Sequence, residues 1–247
     1  MAVPLVSARV RSRFPDSGAD LNLLDGNCCE YESIFNVRFV PERDPGGDLA
    51  LSVRDKARLL VMSMTSHARA LTWSLIESIN HDSAAAAVLV ARAHVEVTGL
   101  MGYLLERLRR HRDGQLSEQD FHDVVVRLYQ ATRKHPPGTA AALAEKTTAV
   151  NVVTLVDAIA KLSDLKVTDG QFRDMWEDLS EFCHPNMFSR LITGERLVDR
   201  EIHFDLRPTI KEDSLSLVLN SSAMSQEVFF FCRQDAIPLI EQLAGDR

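Results

Sequence analysis

The chain predicts a mostly all-α fold, a single helical bundle of five to seven helices with a small β-hairpin before the last helix. Three observations lead there. Apolar residues make up 45% of the 247 positions and aromatics only 6%; Ala, Leu and Val fill the gap, a balance that favours helix over sheet. Apolar residues then recur near every 3.6 positions over long stretches from Leu49 onward. Between Ile202 and Leu219 the period falls to two, which reads as strand.

The elements follow in order. Residues 1–47 are punctuated by Pro4, Pro15, Gly18, Gly26, Pro41, Pro45, Gly46 and Gly47. That spacing predicts an irregular N-terminal arm with one short strand at 34–40. The helical bundle domain spans 48–247. Leu49, Val53, Leu60, Met64, Leu71, Leu75 and Ile79 make one long helix that ends at Asn80. Asn80-His81-Asp82-Ser83 breaks it, and a second helix runs over 84–111, stopping before Asp113-Gly114. Two long helices joined by a tight turn form an antiparallel hairpin, the frame of a bundle.

Ser117 and Asp120 form a capping box that opens a third helix reaching to 134. His135-Pro136-Pro137-Gly138 stops it, and a short helix at 140–146 and a longer one at 150–162 follow. Thr168 caps a helix over 169–183, with Phe172, Met175, Trp176, Leu179 and Phe182 on one face and Pro185 as terminator. Ile202, Phe204 and Leu206, then Leu215, Leu217 and Leu219, alternate as the two arms of a hairpin turning near Pro208. Ser222 caps a last helix over 223–243, interrupted at Pro238.

Charge and cysteines narrow the function classes. The formal charge is −7, an ordinary solvated surface rather than a nucleic-acid coat. Of 28 cationic residues 22 are Arg, and Arg107, Arg109, Arg110 and Arg112 crowd one helix end. There they either complement the helix C-terminus or form a phosphate-facing, nucleic-acid-binding patch. Cys28, Cys29, Cys183 and Cys232 contain no CxxC and are too sparse for a disulfide scaffold. The longest strictly apolar run is 84–91, under half a membrane span. A cytoplasmic protein with reduced thiols and no membrane partner is expected.

Two polar constellations stand out. Arg92 and Glu96 sit four apart on an otherwise apolar helix. Either they form a salt bridge that fixes register, or Arg92 is a preorganised cation in a pocket. The second is Leu179-Ser180-Glu181-Phe182-Cys183-His184-Pro185-Asn186. As plain capping it is complete, yet Ser180, Glu181, His184 and Asn186 within seven residues also supply a general base, an acceptor and an orienter, with His184 as acid or base oriented by Glu181 or Asn186. Glu181 and His184 have the E-x-x-H spacing of a di-iron ligand pair, but none of the other seven His has Glu three residues before it, so no metal and no cofactor is expected. There is no G-x-G-x-x-G, P-loop, G-x-S-x-G or H-E-x-x-H.

Asn151-Val152-Val153-Thr154-Leu155-Val156-Asp157, the Leu179–Asn186 stretch and Arg92-Ala93-His94-Val95-Glu96 together resemble uncharacterised bacterial helical proteins with R-x-x-x-E and LSE-x-x-HPN signatures. The likeness covers about residues 50–190. Such proteins are similar in architecture to the HEPN superfamily, whose members serve in stress response and defence, some as metal-independent ribonucleases. The resemblance implies R-x(4–6)-H on a helix in a dimer cleft. Arg196 and His203 have that spacing, but 22 Arg, three spacings and 8 His predict about two such matches by chance, and His203 falls in a predicted strand.

The leading expectation is therefore a non-enzymatic scaffold or interaction protein that forms a homodimer through a helical face. The first alternative is an enzyme acting on RNA or a nucleotide, with Arg92, Glu96, Glu181, His184 and Asn186 as catalytic candidates. The second is a small-ligand sensor, which an apolar cavity would betray.

Overall fold

The computed structural model describes residues 3–35, 51–130, 148–162, 164–165, 170–184, 195–198, 201–204 and 209–243. Eight α-helices lie among these residues: α1 (Ala8–Arg13), α2 (Gly18–Phe35), α3 (Val53–Asn80), α4 (Ala84–Arg112), α5 (Glu118–Gln130), α6 (Val152–Asp157), α7 (Gln171–Cys183) and α8 (Glu212–Glu241). Short 3-10 turns precede α2 and follow α6.

α4 is the axis of the molecule. It packs chiefly on α8 and α3, and also on α6, α7 and α5. Its sequence explains the placement. Ala84–Ala87 give strong helix propensity and let neighbours approach, while Met101, Leu104, Leu105 and Leu108 are essentially solvent-free. Each such fully buried aliphatic side chain contributes about 1.5–3 kcal/mol of transfer free energy. Two glycines set how closely α6 and the 3-10 turn after it lie. A Cβ on Gly99 would stand 3.1 Å from the Leu155 carbonyl carbon, and one on Gly102 would stand 2.1 Å from Ile159 Cδ1. α4 is also the described helix apolar enough by length and composition to cross a membrane, with a mean hydropathy of 1.4, and 56% of that window is buried by its neighbours.

The α3–α4 hairpin forms as the periodicity implies. Ser52 caps α3 by accepting from the Asp55 N–H, and Asp82 adopts the left-handed conformation at φ 63° in the turn. Asp82 then ties three segments: it accepts from Arg13 Nη1 at 2.6 Å and from the Ile210 N–H at 2.8 Å.

Three expectations need correction. The N-terminal arm is not irregular within the described residues. α2 is an 18-residue helix whose Leu21, Leu24, Cys28 and Tyr31 are buried at 0–3% exposure in the common core. Gly18 starts it and Gly26 costs about 1 kcal/mol relative to Ala, which the buried face outweighs. The strand expected at 34–40 begins inside α2, and its remainder lies outside the described residues. The hairpin is likewise not built from Leu215, Leu217 and Leu219, which belong to α8. That helix starts ten residues before the expected Ser222 cap, with Leu215, Val218 and Leu219 buried. Alternation of Leu and Ser over five residues fits a strand, but 215, 218, 219 and 222 equally trace one helical face. The antiparallel ladder observed runs upstream, Glu195–Val198 against Glu201–Phe204.

Other boundaries move less. α6 covers Val152–Asp157 and passes into a 3-10 turn, shorter than the 150–162 expected. α7 begins at Gln171 behind Gly170, which sits at φ 84°. The helix expected at 140–146, the Thr168 cap and Pro185 lie outside the described residues.

Candidate functional site

Arg92 and Glu96 face the same side of α4 and pair with each other, Nε to Oε1 at 3.2 Å. α7 crosses at this level. Its Trp176 donates Nε1–H to the same Glu96 oxygen at 3.1 Å, and the Arg92 guanidinium lies over the indole at 5.5 Å. Arg92, Glu96 and Trp176 therefore form one half-exposed cluster joining α4 to α7. His184 lies eight residues beyond Trp176, about 12 Å further along α7, and is exposed. Among the described residues no hydrogen bond or ion pair joins Arg92 or Glu96 to His184. Glu181 is exposed on the last turn of α7, and Asn186 lies outside the described residues.

The arginine end of α4 is charge-balanced. Arg109 bridges Asp164 at 2.9 Å and Asp235 at 2.7 Å, joining α4 to α8 and to the turn after α6. Arg107 lies 3.0 Å from Glu106 and over the Tyr103 ring at 4.7 Å. Arg110 faces Glu106 at 3.6 Å, and Arg112 donates to Asp113 at 2.8 Å, a hydrogen bond that raises the guanidinium pKa and lowers that of the carboxyl. A cleft of about 640 Å³ opens here. Its lining includes Arg109, Arg110, Arg112 and Lys161, but also Glu106, Asp113, Asp164 and Asp235. A phosphate entering this cleft meets as many carboxylates as cations, at a helix C-terminus whose dipole also repels anions.

Sequence reasoning passed over the polar centre of the molecule. His94, on the inner face of α4, is 2% exposed. Its Nε2 lies 3.0 Å from the Tyr31 hydroxyl of α2 and its Nδ1 lies 2.8 Å from Ser225 Oγ of α8. Thr98, one turn on, lies 2.9 Å from the same Ser225 Oγ and donates to the Ser225 carbonyl at 3.1 Å. One assignment of protons satisfies every group. Tyr31 O–H donates to Nε2, Nδ1–H donates to Ser225 Oγ, Ser225 O–H donates to Thr98 Oγ1, and Thr98 O–H donates to the carbonyl. A second chain runs beside it. Asn27 donates to Gln226 Oε1 at 2.7 Å, Gln226 donates to Thr72 Oγ1 at 3.1 Å, and Thr72 donates to the Ala68 carbonyl at 3.0 Å.

Burial, assisted by the charge of His67, pulls the His94 pKa down to about 3, so the imidazole is neutral. Burial also pushes the Tyr31 hydroxyl well above its ordinary range. Ser225, His94 and Tyr31 imitate a nucleophile, a base and an orienter. All three are at most 2% exposed, so solvent and substrate are kept from them. The arrangement joins α2, α3, α4 and α8 and fixes their register. The i, i+4 spacing of His94 and Thr98 was visible in the sequence; their partners, 63 and 131 positions away from His94, were not.

Arg196 and His203 stand opposite each other in the β-ladder rather than on one helix, and His203 Nε2 lies 3.5 Å from Glu201. No group of three or more His, Cys, Asp or Glu side chains suited to a metal ion occurs among the described residues. No protein-family model, curated protein or solved structure matches the chain.

Proposed function

We propose that this chain is a helical scaffold that self-associates as a homodimer through the outward face of α4. One observation carries the reading. On α4, the described helix that carries the long apolar window, Leu89 is 54% exposed, flanked by half-buried Ala85, Ala86, Val90 and Ala93. Ala85, Leu89, Arg92 and Glu96 recur at steps of four, three and four, so they trace one stripe. Small residues around a protruding leucine let two helices approach closely. A two-fold axis turns one such stripe into a self-complementary pair, with each Arg92–Glu96 pair flanking the apolar centre.

The state of the polar candidates supports the same reading. Arg92 and Glu96 form an ion pair, Trp176 donates to Glu96 and lies against Arg92, the buried network is enclosed, and the arginine end of α4 is balanced by nearby carboxylates. The RNA-acting alternative draws no support from that end. A role in stress response or defence and a cytoplasmic location remain part of the proposal, resting on resemblance and composition.

Sedimentation velocity of the purified chain over a wide concentration range tests the reading. The expected result is a dimer that Leu89→Asp converts to a monomer with an unchanged helical circular-dichroism spectrum. A wild-type chain that stays monomeric throughout, or a dimer indifferent to Leu89→Asp and Ala86→Glu, overturns it.

A further inference from the structure

We propose that the cleft between α5, Tyr103 of α4 and residues 148–150 binds a small zwitterion with an apolar body, of the free amino-acid type. The cleft holds about 380 Å³, within the range of small-molecule sites, about 300–1,000 Å³. Its floor is apolar, made by Leu116, Val124 and Val150 beside the Tyr103 ring. Asp120, Asp123, Val126 and Arg127 complete the lining; of these, Asp120, Asp123 and Arg127 carry charge. Asp120, Asp123, Val124 and Arg127 follow i, i+3, i+4 and i+7 on α5, so these four share one helix face. Arg127 stands about 6 Å along the axis from Asp123 and about 10 Å from Asp120.

The charges on this face are not paired with each other. Elsewhere, opposite charges one helical turn apart join: Arg92 with Glu96 at 3.2 Å, Arg173 with Glu177 at 2.8 Å. Here the Arg127 Nε donates to the Thr148 carbonyl at 2.7 Å. That bond fixes the guanidinium away from Asp123 and leaves its two terminal nitrogens without a partner among the described residues. Asp120 uses one oxygen for Ser117 Oγ at 2.6 Å, and Asp123 uses one for Gln119 Nε2 at 3.0 Å, the same oxygen that stands 3.5 Å from His122 Nδ1. The second oxygen of each carries no hydrogen bond among the described residues.

The result is a pair of carboxylates at one end, a braced guanidinium at the other and an apolar floor between. A ligand with an ammonium, a carboxylate and a branched aliphatic side chain meets all three. A simple anion meets the two aspartates, and a simple cation leaves Arg127 unused. The site is independent of the dimer face on α4.

Thermal-shift and calorimetric titrations of the full chain with L-leucine, L-leucinamide and 4-methylpentanoate test the proposal. L-leucine is expected to bind and raise the melting temperature, and each single-charge analogue to bind about fivefold more weakly, the loss of about one exposed ion pair. Arg127→Gln and Asp123→Asn are expected to weaken L-leucine binding by a similar factor while the ligand-free melting temperature stays within a degree or two. No heat and no shift with L-leucine at millimolar concentration overturns the proposal. So does leucinamide binding as tightly as leucine, or leucine binding unchanged in Arg127→Gln.

Discussion

Acid should loosen this bundle through one residue, and the size of the effect follows from the position of His94. The imidazole is fully enclosed, its two nitrogens are bonded to the neutral hydroxyls of Tyr31 and Ser225, and the other titratable ring near it is His67. Its folded pKa of about 3 lies below its ordinary value of 6.5. Between these two values the unfolded chain takes up a proton that the native chain refuses. Stability from this group is therefore complete above about pH 6.5 and declines as the pH falls toward 3. At about 1.36 kcal/mol per pKa unit the full effect is about 5 kcal/mol, of which about 2 kcal/mol is lost between pH 7 and pH 5. Urea unfolding of wild type and His94→Gln at both values isolates it from the carboxylates. At pH 7 the variant should be less stable by about 1–3 kcal/mol, the cost of breaking the buried chain. At pH 5 the gap should shrink by about 2 kcal/mol, because the variant has no proton to take up there. A gap of equal size at both pH values, or a wider one at pH 5, refutes the neutral buried imidazole and with it the proton assignment in the network.

Gly99→Ala should destabilise by about 1–3 kcal/mol through overpacking against the Leu155 backbone, although the same change on an open helix face gains about 1 kcal/mol; thermal melting gives the sign. Cys28 and Cys232 are buried, with thiols pushed up to about 12. Native protein treated with a thiol reagent near pH 8 should be modified at exposed Cys29 and spared at Cys28 and Cys232, read by peptide mass mapping. Arg110→Ala together with Arg112→Ala should leave binding of single-stranded RNA, measured by fluorescence anisotropy at low salt, within twofold of wild type. A loss of tenfold or more would restore the phosphate-facing reading of this helix end.

The long-range arrangement was only partly legible in the sequence. The α3–α4 hairpin could be read because its signals are local: an unbroken 3.6-residue period, a polar four-residue break, and Gly114 after the second helix. α2 was misread because Gly18 and Gly26 are local penalties, whereas its stabilisation comes from burying Leu21, Leu24, Cys28 and Tyr31 against distant helices. The start of α8 was misread because Leu215, Leu217 and Leu219 alternate over a stretch too short to separate a period of two from one of 3.6. Arg92 and Glu96 were recognised as a pair, but their shared partner Trp176 is 80 positions from Glu96, and no spacing rule connects them.

By itself the sequence determined the helical class, the central hairpin and the existence of polar residues on an apolar helix, because propensity and periodicity act within a few residues. Tertiary structure alone decided what those residues do. It turned His94 toward Tyr31 and Ser225, closed Arg109 onto Asp164 and Asp235, and left Leu89 facing outward. Whether a side chain is buried, paired or exposed depends on helices tens to hundreds of positions away, and desolvation and pairing set its chemistry at that point.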